Sequence, residues 1–377
     1  MNLLRLAALA TGCLAAMPAA AAPSWVDLAQ YQQKLLSGGD QNRVLNQMEI
    51  GTRELWSNDL DGAAAAFTDA ITQIEQVYSA DPNAAKARSL WHDEGSKSFK
   101  GEPYERAMAF YYRGLIYLRK GDYENARAAF REGQLQDAFA EEEQNQADFA
   151  LLLFLEAWAS HLNHDFDLRD EALNHLKQLR PNFPGIADDA DTLVIVETGS
   201  APRKLGDGSD HSYFVFRRGK GFKENRVRIE LGDTTEDLYP MEDIFYQATT
   251  RGGREIDKIL KGKAEFRSTG AGISGALADS SVAFSQMGGS STIAGVGVGI
   301  SAIAAIVAFK AKPQADTRFW GSLPDTVHVL TFSSKKLPAT QGVVHYLAGD
   351  VPGAQADDPL QFQTDPNGHR MAMERSR

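Results

Sequence analysis

The sequence predicts an α+β protein: N-terminal tetratricopeptide-like helical repeats, followed by a strand-rich domain that carries a Gly/Ala-rich helical segment. Three observations predict it. A repeat with tetratricopeptide spacing runs from Phe110 to Phe130, short β-branched and aromatic runs begin after Pro184, and 377 residues suit two domains at roughly 150 residues each.

The helical half rests on spacing. In FYYRGLIYLRKGDYENARAAF, Phe110, Gly114 and Tyr117 match W-x2-L-G-x2-Y with Arg113 in place of Leu, and Ala126 with Phe130 supplies A-x3-F. Small residues let paired helices approach while aromatics fill the seam between them. An upstream copy keeps Gly51, Ala63 and Phe67 at the same intervals, with Glu54 replacing the tyrosine. A third pairs Ala157 with Ala172 and Leu176 and ends at Pro181 and Pro184. The groove-facing positions of the first helix in each later copy are Met108, Tyr111, Leu115 and Leu118, then Leu151, Phe154, Trp158 and His161. Two occupants suit so apolar a groove: a hydrophobic peptide or partner helix, or the protein's own second domain.

Six runs are expected as strands: 192–199, 211–219, 226–232, 243–250, 325–332 and 342–349. The resulting division is a signal peptide over 1–21, the helical domain over 22–185, the α+β domain over 186–351 and a polar, disordered tail over 352–377. Within the second domain, 270–309 holds a single charged residue, Asp279, and ends in IAGVGVGISAIAAIVAF over 293–309. That run falls short of the roughly 20 residues that span a bilayer. Gly295 and Gly299 form a G-x-x-x-G pair suited to close helix packing, in a membrane or in an oligomer.

The N-terminus carries one positive charge at Arg5, an apolar stretch from Leu6 to Met17, and small residues with Ala19 and Ala21 in an A-x-A pattern. It reads as an export signal cleaved after Ala21. Cys13 in A-T-G-C offers the competing reading of a lipid-anchored chain. Either way the protein is expected outside the cytoplasm, in the periplasm or at the outer membrane.

Composition excludes several chemistries. Fifty acidic against 39 basic residues leave a net charge of −11, which disfavours nucleic acid as a partner. One cysteine makes neither an internal disulfide nor a Cys-rich metal site. GAGISG at 270–275 satisfies G-x-G-x-x-G but lacks the surrounding strand–helix–strand unit and a ribose-binding acid. His161, His164 and Asp165 have metal-compatible spacing at a helix end, where polar residues are also ordinary. WHDE at 91–94 sets an imidazole beside carboxylates without a nucleophile, and DGSD at 207–210 is a turn rather than a full calcium loop. No cofactor, catalytic residue or metal ligand is therefore expected.

FKGEPYERAMAFYYRGLIYL with the following GDYENARAAFREG, and ADTRFWGSLPDTVHVL, resemble an uncharacterised family of exported bacterial proteins with tetratricopeptide-like N-terminal domains, many of them lipoproteins. The resemblance implies a cell-envelope location and the same two-domain plan, with no activity to transfer. This chain departs from the lipoprotein members at its lipobox, where Ala10 stands in place of a larger aliphatic. The expected function is a non-catalytic interaction or scaffold protein of the envelope, with an envelope protein or peptide as partner. The alternatives are a membrane-inserting or oligomerising protein acting through 293–309, and an enzyme using His92–Glu94.

Overall fold

The computed structural model describes residues 27–79, 98–138, 148–207, 213–219, 223–250 and 317–376. The signal segment, Cys13, the 91–94 loop, most of 207–210, the 270–275 motif, Gly295 and Gly299 all lie outside the described residues.

Helix α1 (Leu28–Ser37) begins at Asp27, whose carboxylate accepts from the Ala29 amide. A 3-10 turn (Asp40–Asn42) then leads into the three expected helix pairs. These are α2 (Arg43–Trp56) with α3 (Leu60–Ser79), α4 (Pro103–Arg119) with α5 (Tyr123–Ala138), and α6 (Ala150–Leu162) with α7 (Phe166–Leu179). The repeat glycines have the role their spacing implies. A methyl group on Gly114 would lie 2.2 Å from the Phe130 ring, and one on Gly51 would lie 2.8 Å from Phe67. Helix α4 starts with Pro103 in its first turn and a reciprocal cap between Glu102 and Glu105, which satisfies otherwise orphaned amides.

The strands build two stacked sheets. They are β1 (Thr192–Thr198), β2 (Arg203–Asp207), β3 (Tyr213–Arg217), β4 (Arg226–Leu231), β5 (Thr234–Asp237), β6 (Tyr239–Asp243), β7 (Thr326–Phe332), β8 (Gln341–Ala348), β9 (Val351–Pro352), β10 (Asp358–Gln361), β11 (Gln363–Thr364) and β12 (Arg370–Arg375). The first sheet has the order β11-β12-β1-β7-β6, with β12 parallel to β1. The second has the order β10-β8-β4-β5 with β9 on β8, and β2 with β3 forms a separate hairpin.

Two expectations are corrected here. The run 243–250 is a strand by composition but folds as helix α8 (Ile244–Thr250), because β6 ends at Asp243 and the Asp243 carboxylate accepts from the Tyr246 amide as a helix start. The supposed tail 352–377 supplies β10, β11 and β12, and β12 lies inside the first sheet against β1. Its composition is polar because its strands are short, while Met371 and Ala372 fill two different cores.

Three layers result: helices, first sheet, second sheet. Leu193 and Ile195 of β1 join the helices in the larger core, whereas Val194 and Val196 pack on Val227, Ile229, Val344 and Leu360 of the second sheet. This two-sided burial explains why β1 reads as a continuous apolar run rather than an alternating one.

Candidate functional site

The predicted groove exists, and the first sheet covers it. Met108, Tyr111, Leu115, Leu151 and Phe154 are wholly buried; Leu118, Trp158 and His161 are nearly so. Phe110 and Phe154 belong to one continuous core with Val327, Val329 and Met371 of the sheet. A partner helix has no access to these side chains, so of the two expected occupants the protein's own second domain is the one that fills the groove, and the assignment of these eight residues to a partner is corrected. Their apolarity serves the molecule's own second domain.

Polar contacts fix how the sheet sits on the helices. Glu197 is the helix-facing carboxylate of β1, and it accepts from the Tyr111 hydroxyl at 3.2 Å and the Tyr112 hydroxyl at 3.0 Å, with Arg375 of β12 at 3.4 Å. Burial raises the Glu197 carboxyl, and the Arg375 charge and the two phenols oppose that shift. Burial and the Glu197 charge in turn push both phenols well above the ordinary tyrosine range.

The segment before β7 is anchored the same way. The Trp320 amide donates to Glu105 at 2.6 Å and the Gly321 amide to Glu49 at 2.8 Å, while the Trp320 ring packs on Tyr112 and Phe67. Glu242 of β6 accepts from the Leu151 amide at 3.1 Å and pairs with Arg180 at 3.3 Å. Burial pushes both Glu105 and Glu242 up to about 7, against the pull of Lys204 on the first and Arg180 on the second.

His161 is also committed internally. Its Nε2 donates to the Ala190 carbonyl at 2.8 Å and its ring stacks on Trp158. Burial lowers the imidazole against the opposing pull of that bond, and in the neutral ring the bond places the proton on Nε2. The metal reading of His161, His164 and Asp165 is not met: among the described residues no group of three or more His, Cys, Asp or Glu could hold a metal ion.

Among the described residues, a cleft of about 240 Å³ opens at one edge of the helix layer. The repeat architecture explains its place, because each pair turns from first to second helix on the same edge, so Asn58, Leu118 and Trp158 come together near three successive turns. The opposite wall is the β11–β12 hairpin, through Gln363, Asp365, His369 and Arg370.

A clasp holds this hairpin in place. The Tyr123 hydroxyl donates to Asp365 and touches His369, and Asn367 donates to the Gly121 carbonyl at 2.9 Å. Gly121 has φ +73°, and a Cβ there would lie 2.7 Å from Asn367, so the turn needs glycine on both counts. Burial and the Asp365 bond push the Tyr123 phenol far up, which removes it as a base at neutral pH.

Of the eight predicted groove residues, Leu118 and Trp158 line the cleft, and the other six belong to the interior. Sequence reasoning missed Glu197, Trp320, Arg375 and the hairpin wall. Two signals were present: a lone glutamate within the apolar run TLVIVET, and the turn tetrad Asp365-Pro366-Asn367-Gly368 between short strands.

The fold and cleft define an α+β protein in which paired helices form one layer over stacked β-sheets. Comparison with known proteins finds no matching family, no matching curated protein and no matching solved structure.

Proposed function

We propose that this is a non-catalytic interaction or scaffold protein of the bacterial cell envelope, and that it meets its partner at the cleft between the repeat turns and the β11–β12 hairpin. One observation carries the reading. The apolar face that helical repeats offer to ligands is occupied by the protein's own sheet, and among the described residues a cleft opens instead at the repeat edge. The export signal and the resemblance to exported tetratricopeptide-like envelope proteins support the location.

The test is photocrosslinking in cells from Gln363 and Asn58, both exposed at the cleft, with Tyr111 as the buried control. Adducts with one envelope protein from the first two positions, and only internal adducts from Tyr111, are expected. The reading fails if Gln363 and Asn58 yield no intermolecular adduct and the mature protein runs as a strict monomer without partners.

A further inference from the structure

Resting on the reading of the cleft as the binding surface, the geometry points to a specific chemistry: we propose that the cleft takes a carboxylate carried on an apolar group, as at the C-terminal end of a peptide with an aliphatic last residue. The argument starts from charge. Arg119 and Arg370 both line the cleft, and among the described residues neither is within ion-pair distance of a carboxylate. Arg119 gives one bond to the neutral Asn58 side chain at 2.6 Å, and Arg370 gives one to the Ala339 carbonyl at 2.9 Å while lying over the Phe362 ring.

The acids nearby are already engaged. Asp365 accepts from the Tyr123 hydroxyl and from the amides of Asn367 at 2.9 Å and His369 at 3.0 Å. Asp191, whose charge reaches Arg370, is held by the Ser334 amide and hydroxyl and by Thr192. Two guanidinium groups beside one cleft, partly withdrawn from water and without a bonded anion, favour an incoming carboxylate, which an arginine can hold through two parallel bonds. Burial lowers both arginines, consistent with charges that lack a neutralising partner.

The floor supplies the second half of the specificity. Leu118, Trp158, Leu162 and Met371 line the same cleft as these arginines and, though mostly buried, contribute its apolar lining. At about 240 Å³ the space lies below the roughly 300 to 1,000 Å³ of sites for drug-sized ligands, and it suits a single residue with its terminal carboxylate. A bare inorganic anion would leave this floor unused.

The experiment is calorimetric titration of the full mature chain with N-acetyl-Ala-Leu as the free acid, with the same dipeptide as its C-terminal amide, and with sodium phosphate. The acid is expected to bind at least tenfold more tightly than the amide or phosphate. Arg119→Gln, whose bonded partner is neutral and whose fold is checked by thermal unfolding, is expected to abolish the difference between acid and amide. Arg370→Gln provides the second variant. Equal binding of acid and amide, phosphate binding as tight as the acid, no binding of any probe, or unchanged acid binding by a folded R119Q protein would each overturn the inference. Cellular adducts from Gln363 that persist in R119Q would separate the two ideas: the cleft then meets a partner without reading a carboxylate.

Discussion

On one face of β1, Val194 and Val196 meet Val227, Ile229, Phe332, Val344 and Leu360 in a contact dominated by apolar side chains, with polar bonds at Tyr346–Asp358 and Thr198–His328. On the other, Leu193 and Ile195 share the surface with Glu197, and the neighbouring elements bring Tyr111, Tyr112, Glu105, Glu242, Arg180 and Arg375. Apolar packing is non-directional and tolerates small shifts, whereas a buried carboxylate is satisfied in one geometry alone. The sheet-on-sheet contact therefore supplies burial, and the sheet-on-helix contact also specifies where the repeat stack sits. This difference matters for the site, because the cleft exists only while the helix edge and the C-terminal hairpin keep their relative position.

The largest expected effect removes the strand common to both contacts. Ending the chain at Gln361 deletes β11 and β12, strips the parallel neighbour from β1 and opens both cores. Loss of cooperative unfolding by circular dichroism is expected; a truncated protein with the parent's melting behaviour would restore the reading of 352–377 as a tail. Next comes Arg375→Met, which leaves Glu197 buried without its cation. A loss of about 3–5 kcal/mol in urea unfolding is expected from breaking a buried pair. A cost below 1 kcal/mol would mean that the helix contact is specified by packing alone.

The pH dependence sharpens the same comparison. Glu105 and Glu242 are held at about 7 in the folded protein, above their ordinary value near 4.5, so the folded state binds protons more tightly in that interval. Their contribution is fully present below about pH 4.5 and is lost as pH rises through about 7. Urea midpoints should fall between pH 5 and 7.5, and Glu105→Gln should flatten that fall; an identical slope in parent and variant would remove Glu105 from the account.

Within the helix layer, Gly114→Ala should cost about 1–3 kcal/mol by overpacking against Phe130, and Gly51→Ala should cost less because its approach to Phe67 is looser. Reversal of that order in thermal melts would deny the shared seam. The smallest effect belongs to the apolar side of β1: Ile229→Val should lose about 0.5–1.5 kcal/mol without altering the pH slope. A changed slope would show that the two faces are coupled.

Much of the helical layer was legible because its information is local. Gly51 with Phe67, and Gly114 with Phe130, are close enough in sequence for spacing alone to announce the contact. Segment 243–250 was misread because aromatic and β-branched composition suits either state, and the decision came from the strand end at Asp243 and the capping bond it makes to Tyr246. The tail was misread because polarity averaged over 352–377 hides short strands whose partners lie far away in the chain, Val344 for Asp358 and Leu193 for Met371.

The candidate site divides along the same line. Sequence by itself determined the repeat spacing, the apolar character of the first-helix faces and the central strand Thr192–Thr198. Only the tertiary structure decided that the sheet occupies the groove, that Glu197 joins Tyr111, Tyr112 and Arg375, and that Arg119 and Arg370 line one cleft. The physical reason is range. Helix pairing and strand alternation follow from a period of a few residues, whereas a buried charge or an arginine-lined cleft is defined by groups far apart in the chain, 85 residues between Tyr112 and Glu197, that meet only when the layers stack.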